Sequence, residues 1–387
     1  MLIPQNRIVA LDVIRGIALF GILMVNMMSF LAPILYINPL QWWDSQRDHL
    51  VYWMIDLFFQ SSFYPLFSLL FGYSLAIFRE RILEKKLPFT KVVARRFCFL
   101  FMIGFIHAFF IWHGDILMVY AVIGFFTLPF LKMPPKLLLM FGSVLYFLAN
   151  CLFTIFLAIL DFFHLGRNEL SNNNKLAQAI VHIYQMGTFG EITRQRVQDW
   201  IIEYNLQAII LLFFTVFPLF LMGAGFSKLR LLERMEEYGI RWKRVFVWTF
   251  LLGTLLKFLP YIFGGMSSLN YLQDVFGGSC QAISYASLAV LLLKNKSASK
   301  ILFIFSFAGR MSLTNYLFQS ALASILFYGY GLQLFAKLSL LSGIFLALGI
   351  FAFQVVFCSL WLKVFFNGPI EWVWRCFTYL QFLKWKR

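Results

Sequence analysis

Residues Arg95 to Gly124 read RRFCFLFMIGFIHAFFIWHGDILMVYAVIG, two apolar runs joined at His113-Gly114-Asp115. Neither run carries the polar face that a helix exposed to water requires, so both are read as membrane-embedded helices joined by a tight turn. At 1.5 Å per residue, His107 lies about 16 Å beyond Arg96 and about 9 Å short of that turn. An ionisable side chain at such depth is costly in hydrocarbon and is usually kept there for a purpose. The hairpin is therefore read as the working site and the rest of the chain as its housing.

Composition extends that reading to the whole molecule. The 387 residues are 61% hydrophobic and 13% charged, with 49 Phe and a mean hydropathy of +0.78. No water-soluble domain of this length needs such a balance. Apolar runs recur at roughly 8–30, 51–78, 97–113, 115–131, 137–160, 206–227, 245–264, 275–293, 301–328 and 335–362. The expectation is an all-α, polytopic membrane helix bundle of about ten spans. The first run lacks the basic n-region and small-residue cleavage site of a signal peptide, so it is expected to stay as an anchor.

The net charge of +16 does not point to nucleic acid, because its placement follows the spans. With the N-terminus on the cytoplasmic side, 24 of the 33 Lys and Arg fall on that side, six fall on the other, and Arg15, Lys257 and Arg310 lie within spans. That bias predicts both termini in the cytoplasm, with the protein multi-pass in the membrane. The five cysteines are scattered, without metal-ligand spacing or a disulfide framework, and read as packing residues.

In the first span, Asp12, Arg15, Gly16 and Asn26 fall on one narrow stripe, which must face protein or a wet cavity. Asp12 and Arg15 can pair at i and i+3. Pro65 should kink or interrupt the second span, which carries Asp56 near its outer end. The basic loop from Arg79 to Arg96 is topogenic or holds an anionic group. One water-exposed stretch, 161–205, has a turn at Asn172-Asn173-Asn174. It then runs into EITRQRVQDWIIEYN, an amphipathic helix on the outer surface, a cap or a lid. It separates a first half, 1–160, from a second, 206–387. Lys257 can snorkel, His113 and Asp274 suit the interface, and Arg310, Thr314, Asn315 and Gln319 make the ninth span polar on two sides. No Walker loop, GxGxxG, HExxH or Gly-x-Ser-x-Gly elbow occurs.

Six blocks in order, LDVIRGIALFGILMVN, FYPLFSLLFG, GFIHAFFIWHGDILMVYAVIG, GRMSLTNYLFQS, FYGYG and GPIEWVWR, resemble the YeiB-type bacterial integral membrane proteins, a family of unknown function. The first half is also similar to heparan-alpha-glucosaminide N-acetyltransferase-like transmembrane acyltransferases. Matched positions are Asp12, Arg15, Gly16, Asn26, His107, Gly114, Asp115, Tyr120, Arg310, Thr314, Asn315, Tyr316, Gln319, Glu371 and Arg375. Ser62 stands where relatives often have Lys. The resemblance implies acyl transfer from cytoplasmic acyl-CoA, as co-substrate, to an outer-side glycan or lipid-linked acceptor.

For that chemistry His107 is the candidate base, oriented by Asp115 or Asp12. Arg15 or Arg310 would stabilise an oxyanion or hold a phosphate. Arg95 and Arg96 would receive the CoA phosphates, and Asn26, Tyr120, Asn315 and Gln319 would complete the binding set. Asp115 can instead cap the helix after it. A transporter or exporter of a small or lipid-linked molecule would also want buried Asp, Arg, His and Gln, and is the alternative.

Overall fold

The computed structural model describes residues 7–165 and 174–387; the turn expected at Asn172 and Asn173 lies outside them. Among the described residues there are seventeen α-helices and no strand. α1 (Val9–Leu31) is followed by a short α2 (Pro39–Trp42), then α3 (Gln46–Phe58), α4 (Phe63–Glu84), α5 (Phe89–Ile106), α6 (Leu117–Thr127) and α7 (Pro135–Phe162). Next come α8 (Asn174–Met186), α9 (Phe189–Glu203), α10 (Leu206–Lys228), α11 (Gly239–Phe263), α12 (Ser267–Leu272) and α13 (Gly278–Lys294). The chain closes with α14 (Lys296–Arg310), α15 (Ser312–Phe327), α16 (Leu340–Val364) and α17 (Pro369–Tyr379).

Among the described residues, eight continuous or nearly continuous helical stretches are long and apolar enough to cross a membrane, and α14 with α15, bent by 77° at their junction, is a broken span or a re-entrant pair. The chain is a multi-pass membrane protein. α6, the remaining run of the expected ten, is only 11 residues long, because an extended segment delays its start and Pro129 opens a tighter 3-10 turn at its end. The α7 and α11 windows are only 11% and 17% buried, which makes them the outer, lipid-facing helices.

α1 runs through the middle, packed on α14, α4, α16, α15 and α13. Packing, not water release, holds helices together in lipid, so close approach matters. Where α1 crosses α14 the backbones touch: a Cβ on Gly309 would fall 1.9 Å from the Asp12 carbonyl oxygen. The second span is interrupted as expected, but the break is at Phe59–Ser62, with Ser61 at φ +55°. Pro65 sits in the first turn of α4, where its missing N–H costs nothing.

Arg15, Arg96, Arg310 and Arg375 gather at one end of the bundle, the basic end. α9 packs on the π-helical turn after α5, and apart from Ile192 the face it buries is polar: Gln195, Arg196 and Asp199. Its Asp199 accepts from Tyr36 and Tyr184, both at 2.6 Å, and its fully buried Arg196 donates to the Phe110 carbonyl at 3.0 Å and the Tyr330 hydroxyl at 2.6 Å.

Candidate functional site: a buried His–Asp pair between two cavities

The hairpin is not two straight helices meeting at a tight turn. After α5 the backbone widens into a π-helix, His107–Ile111, and Trp112 donates its N–H back to the His107 carbonyl at 2.8 Å. A five-residue segment, 112–116, then crosses to α6. Such widened turns recur at functional sites. This one brings His107 Nδ1 to 2.9 Å from Asp115 Oδ1, with both residues almost completely buried.

Asp115 is held from its other side as well. Its Oδ2 accepts the N–H of Met118 at 2.9 Å, so the capping role and the histidine-orienting role belong to the same carboxylate. Residue 104 must be glycine for this to fit, because a Cβ there would lie 2.7 Å from the Met118 nitrogen and 2.9 Å from Asp115 Oδ2. With Nδ1 donating to the carboxylate, His107 carries its lone pair on Nε2. That nitrogen is buried and has no hydrogen-bond partner among the described residues. The Tyr316 ring lies 5.0 Å away, its hydroxyl donating to the Gly114 carbonyl at 3.1 Å, and the Trp112 ring lies 6.2 Å away.

Two cavities lie beside the hairpin, lined by its neighbouring residues and not by His107 or Asp115 themselves. The one at the basic end encloses about 240 Å³ and is lined by Arg15, Arg96, Arg310, Arg375, Glu371, Tyr120 and Tyr316 among others. The other encloses about 700 Å³ and is lined by Asn26, Asp56, Trp112, His113, Glu203 and Asp274 among others. Ile116 lines the first and His113 the second, so the segment carrying Asp115 passes from one wall to the other. α1 does the same, with Arg15, Leu19 and Ile22 on the first cavity and Val25 and Asn26 on the second.

The basic mouth is built from four guanidiniums and one carboxyl. Arg15 donates to Ser74 and faces Asp12 Oδ1 at 3.5 Å. Arg96 is sandwiched, 3.7 Å from the Trp374 ring and 4.7 Å from Phe78. Arg375 donates to Asn367 Oδ1 at 2.9 Å, and the buried Nε of Arg310 has no partner among the described residues. Glu371 does not answer these charges. It accepts the free N–H groups of Leu313 and Thr314 at 2.8 and 3.0 Å and so caps α15 from another helix. Burial raises its pKa, and the Thr314 and Leu313 donors oppose that rise.

The other expected residues are dispersed. Asp12 bonds Arg7 Nε at 2.5 Å and belongs to the basic end, leaving Asp115 as the carboxylate on His107. Arg95 bonds its own helix at the Lys91 carbonyl and does not line the cavity, so the expected Arg95–Arg96 pair contributes only Arg96 there. Tyr120 hydrogen-bonds Ser68 Oγ at 2.7 Å on the cavity wall. Asn315 and Gln319 bond Cys358 and Gln354 across α15 and α16, away from both cavities. Lys257 does not snorkel. Wholly buried, it donates to the carbonyls of Gln60 at 2.8 Å and Asp56 at 3.2 Å, which the helix break frees.

His113 is buried rather than interfacial, with Nδ1 3.1 Å from Glu203 Oε2 of α9. That partner, 90 residues away, has no local signal in the sequence. Burial lowers His113 to about 4 and raises Glu203 to about 7, away from ordinary values of 6.5 and 4.5. The His113 shift disfavours folding as pH falls from 6.5 to 4, and the Glu203 shift disfavours it as pH rises from 4.5 to 7. The two slopes oppose each other over the shared window. Thermal melts of wild type should be nearly flat there, those of Glu203→Gln should fall toward acid, and those of His113→Gln should fall toward neutrality. Parallel profiles for both variants would contradict this pairing.

The family profile described as "Protein of unknown function (DUF418)" matches residues 226–381, which include Arg310, Glu371 and Arg375. The Uncharacterized protein YxaH of Bacillus subtilis (strain 168) is 33% identical over 402 residues, covering 98% of this chain and 96% of that protein. The chain belongs to the YeiB-type DUF418 family. The Uncharacterized protein YeiB of Escherichia coli (strain K12) is 27% identical, with 97% of each chain covered. An uncharacterized 39.9 kDa protein from Bacillus acidopullulyticus is 28% identical over 97% of this chain and 94% of its own. Relatedness thus runs through both halves of this DUF418 protein, the His107 hairpin included.

Proposed function

We propose that this DUF418 protein is a transmembrane acyltransferase that moves an acyl group from a thioester at the basic end to a nucleophile in the opposite cavity. The observation that carries the reading is the buried His107, oriented by Asp115 through Nδ1, with an unpartnered Nε2 in a hairpin whose neighbouring residues line two cavities. In the step, Nε2 takes the proton of the acceptor hydroxyl or amine, whose heteroatom attacks the thioester carbonyl. The carbon–sulfur bond then breaks, and the proton passes from His107 to the departing thiolate.

Four guanidiniums against one already occupied carboxyl suit the phosphates of acyl-CoA. Arg15 lies seven residues, about 10 Å along α1, from Ile22 at the cavity floor. That distance fits Arg15 and Arg310 to phosphate rather than to an oxyanion beside His107. The excess of basic loops supports a cytoplasmic position for this end, in a bacterial plasma membrane.

Purified protein in proteoliposomes, given radiolabelled acetyl-CoA or longer acyl-CoAs, should transfer label to membrane or glycan extracts. Arg96→Gln should raise the KM for the donor about 10- to 100-fold with little change in kcat, the loss of a charge-assisted contact made equally in both states. Absence of label with every donor would reject the enzyme. The stacking of two cavities along α1 favours carriage of a solute as the second reading, and uptake by the same vesicles without label transfer would establish it.

A further inference from the structure

The larger cavity has a charge pattern opposite to that of the chain. Among the described residues no Lys or Arg lines it, whereas Asp56, Asp274 and Glu203 all do. The nearest ammonium, Lys257, lies behind the wall, held by two backbone carbonyls and 3.7 Å from Asp274. Asp56 Oδ2 receives only neutral donors, the Tyr261 hydroxyl at 2.6 Å and Gln273 Nε2 at 2.5 Å. With Glu203 already bonded to His113, Asp56 and Asp274 share one ammonium in a partly desolvated site, where an added cation lowers the cost. The Tyr52 and Tyr261 rings on the same wall add cation–π surface.

An independent feature points to a second contact. Trp112, 4% exposed, lines the cavity and belongs to the His107 hairpin, and its indole N–H, itself buried at the cavity wall, has no partner among the described residues. An indole N–H can only donate, so it asks for an oxygen.

We propose that this cavity binds a small amino alcohol, its ammonium on the Asp56–Asp274 wall beside Tyr52 and Tyr261 and its hydroxyl oxygen on the Trp112 N–H. As the acceptor site it deepens the acyl-transfer reading and rests on it for the fate of the hydroxyl; binding itself requires no turnover. The ammonium can belong to a free solute or to the ethanolamine head of a phospholipid.

Calorimetric titration of the wild type compares choline with 3,3-dimethylbutan-1-ol, its uncharged isostere. Choline should bind at least about tenfold more tightly, a difference of 1.4 kcal/mol. Asp56→Asn should abolish that preference, and Trp112→Phe should weaken choline while sparing tetramethylammonium. In nanodiscs, phosphatidylethanolamine should block choline if the head group is the natural ligand, and phosphatidylglycerol should not; equal binding in both assigns a free solute. Equal affinity for choline and its isostere, or no choline binding to well-folded wild type, overturns the proposal without any variant. Label transfer without choline binding would reject this site alone, and choline binding without label transfer would reject the enzyme alone.

Discussion

His107→Gln should lower acyl transfer by about 10²- to 10⁴-fold, the usual worth of a positioned general base. Glutamine keeps roughly the same bulk and can still donate to Asp115, so the fold should hold and the loss should lie in kcat. Asp115→Asn tests the orientation separately. Its single amide oxygen can serve only one of the two donors: kept on the Met118 N–H, it turns the NH2 toward Nδ1, which then accepts, and the Nδ1–H tautomer is lost. The pH profile is the discriminating readout: a base limb present in wild type should vanish in His107→Gln and persist, on a lowered rate, in Asp115→Asn. If His107→Gln retains wild-type kcat, the free Nε2 is a packing feature and the base must be sought elsewhere.

The fold class was legible because bilayers impose a length and an apolar composition that few sequences meet by accident. His107 and Asp115 were legible for the same reason, since an imidazole inside such a run is conspicuous. What the sequence could not supply was any contact made by chain crossing. The π-helix that brings His107 onto Asp115, Glu203 on His113 and Glu371 on the start of α15 all depend on which helices become neighbours. Helical periodicity buried Asn315 and Gln319 inside the bundle, where they lie, but a polar face inside a membrane reads the same whether it meets a ligand or another helix. Here it meets Gln354 and Cys358. Lys257 failed as a snorkelling residue because the break at Phe59–Ser62 offers it carbonyls closer than the interface.

Gly309→Ala should destabilise the bundle by about 3 kcal/mol, the upper part of the range for overpacking. The added Cβ would stand 1.9 Å from the Asp12 carbonyl oxygen and 2.8 Å from the Gly16 nitrogen. Both are backbone atoms, which cannot turn aside as a side chain can, so α14 must move bodily from α1. The same crossing is closed from the other side, where a Cβ on Gly16 would lie 2.1 Å from the Phe305 carbonyl oxygen. Arg310 is the next residue, so separation of the helices also drags one guanidinium out of the basic mouth and disturbs the Asp12 pairs with Arg7 and Arg15. Thermal melting in detergent is the measurement, with Gly349→Ala as the control because nothing lies within 4 Å of a Cβ there. Gly309→Ala should melt well below wild type and bind the thioester donor more weakly, whereas Gly349→Ala should do neither. Matching melts for the two variants would show that the α1–α14 backbone contact is not what holds the basic cavity in shape.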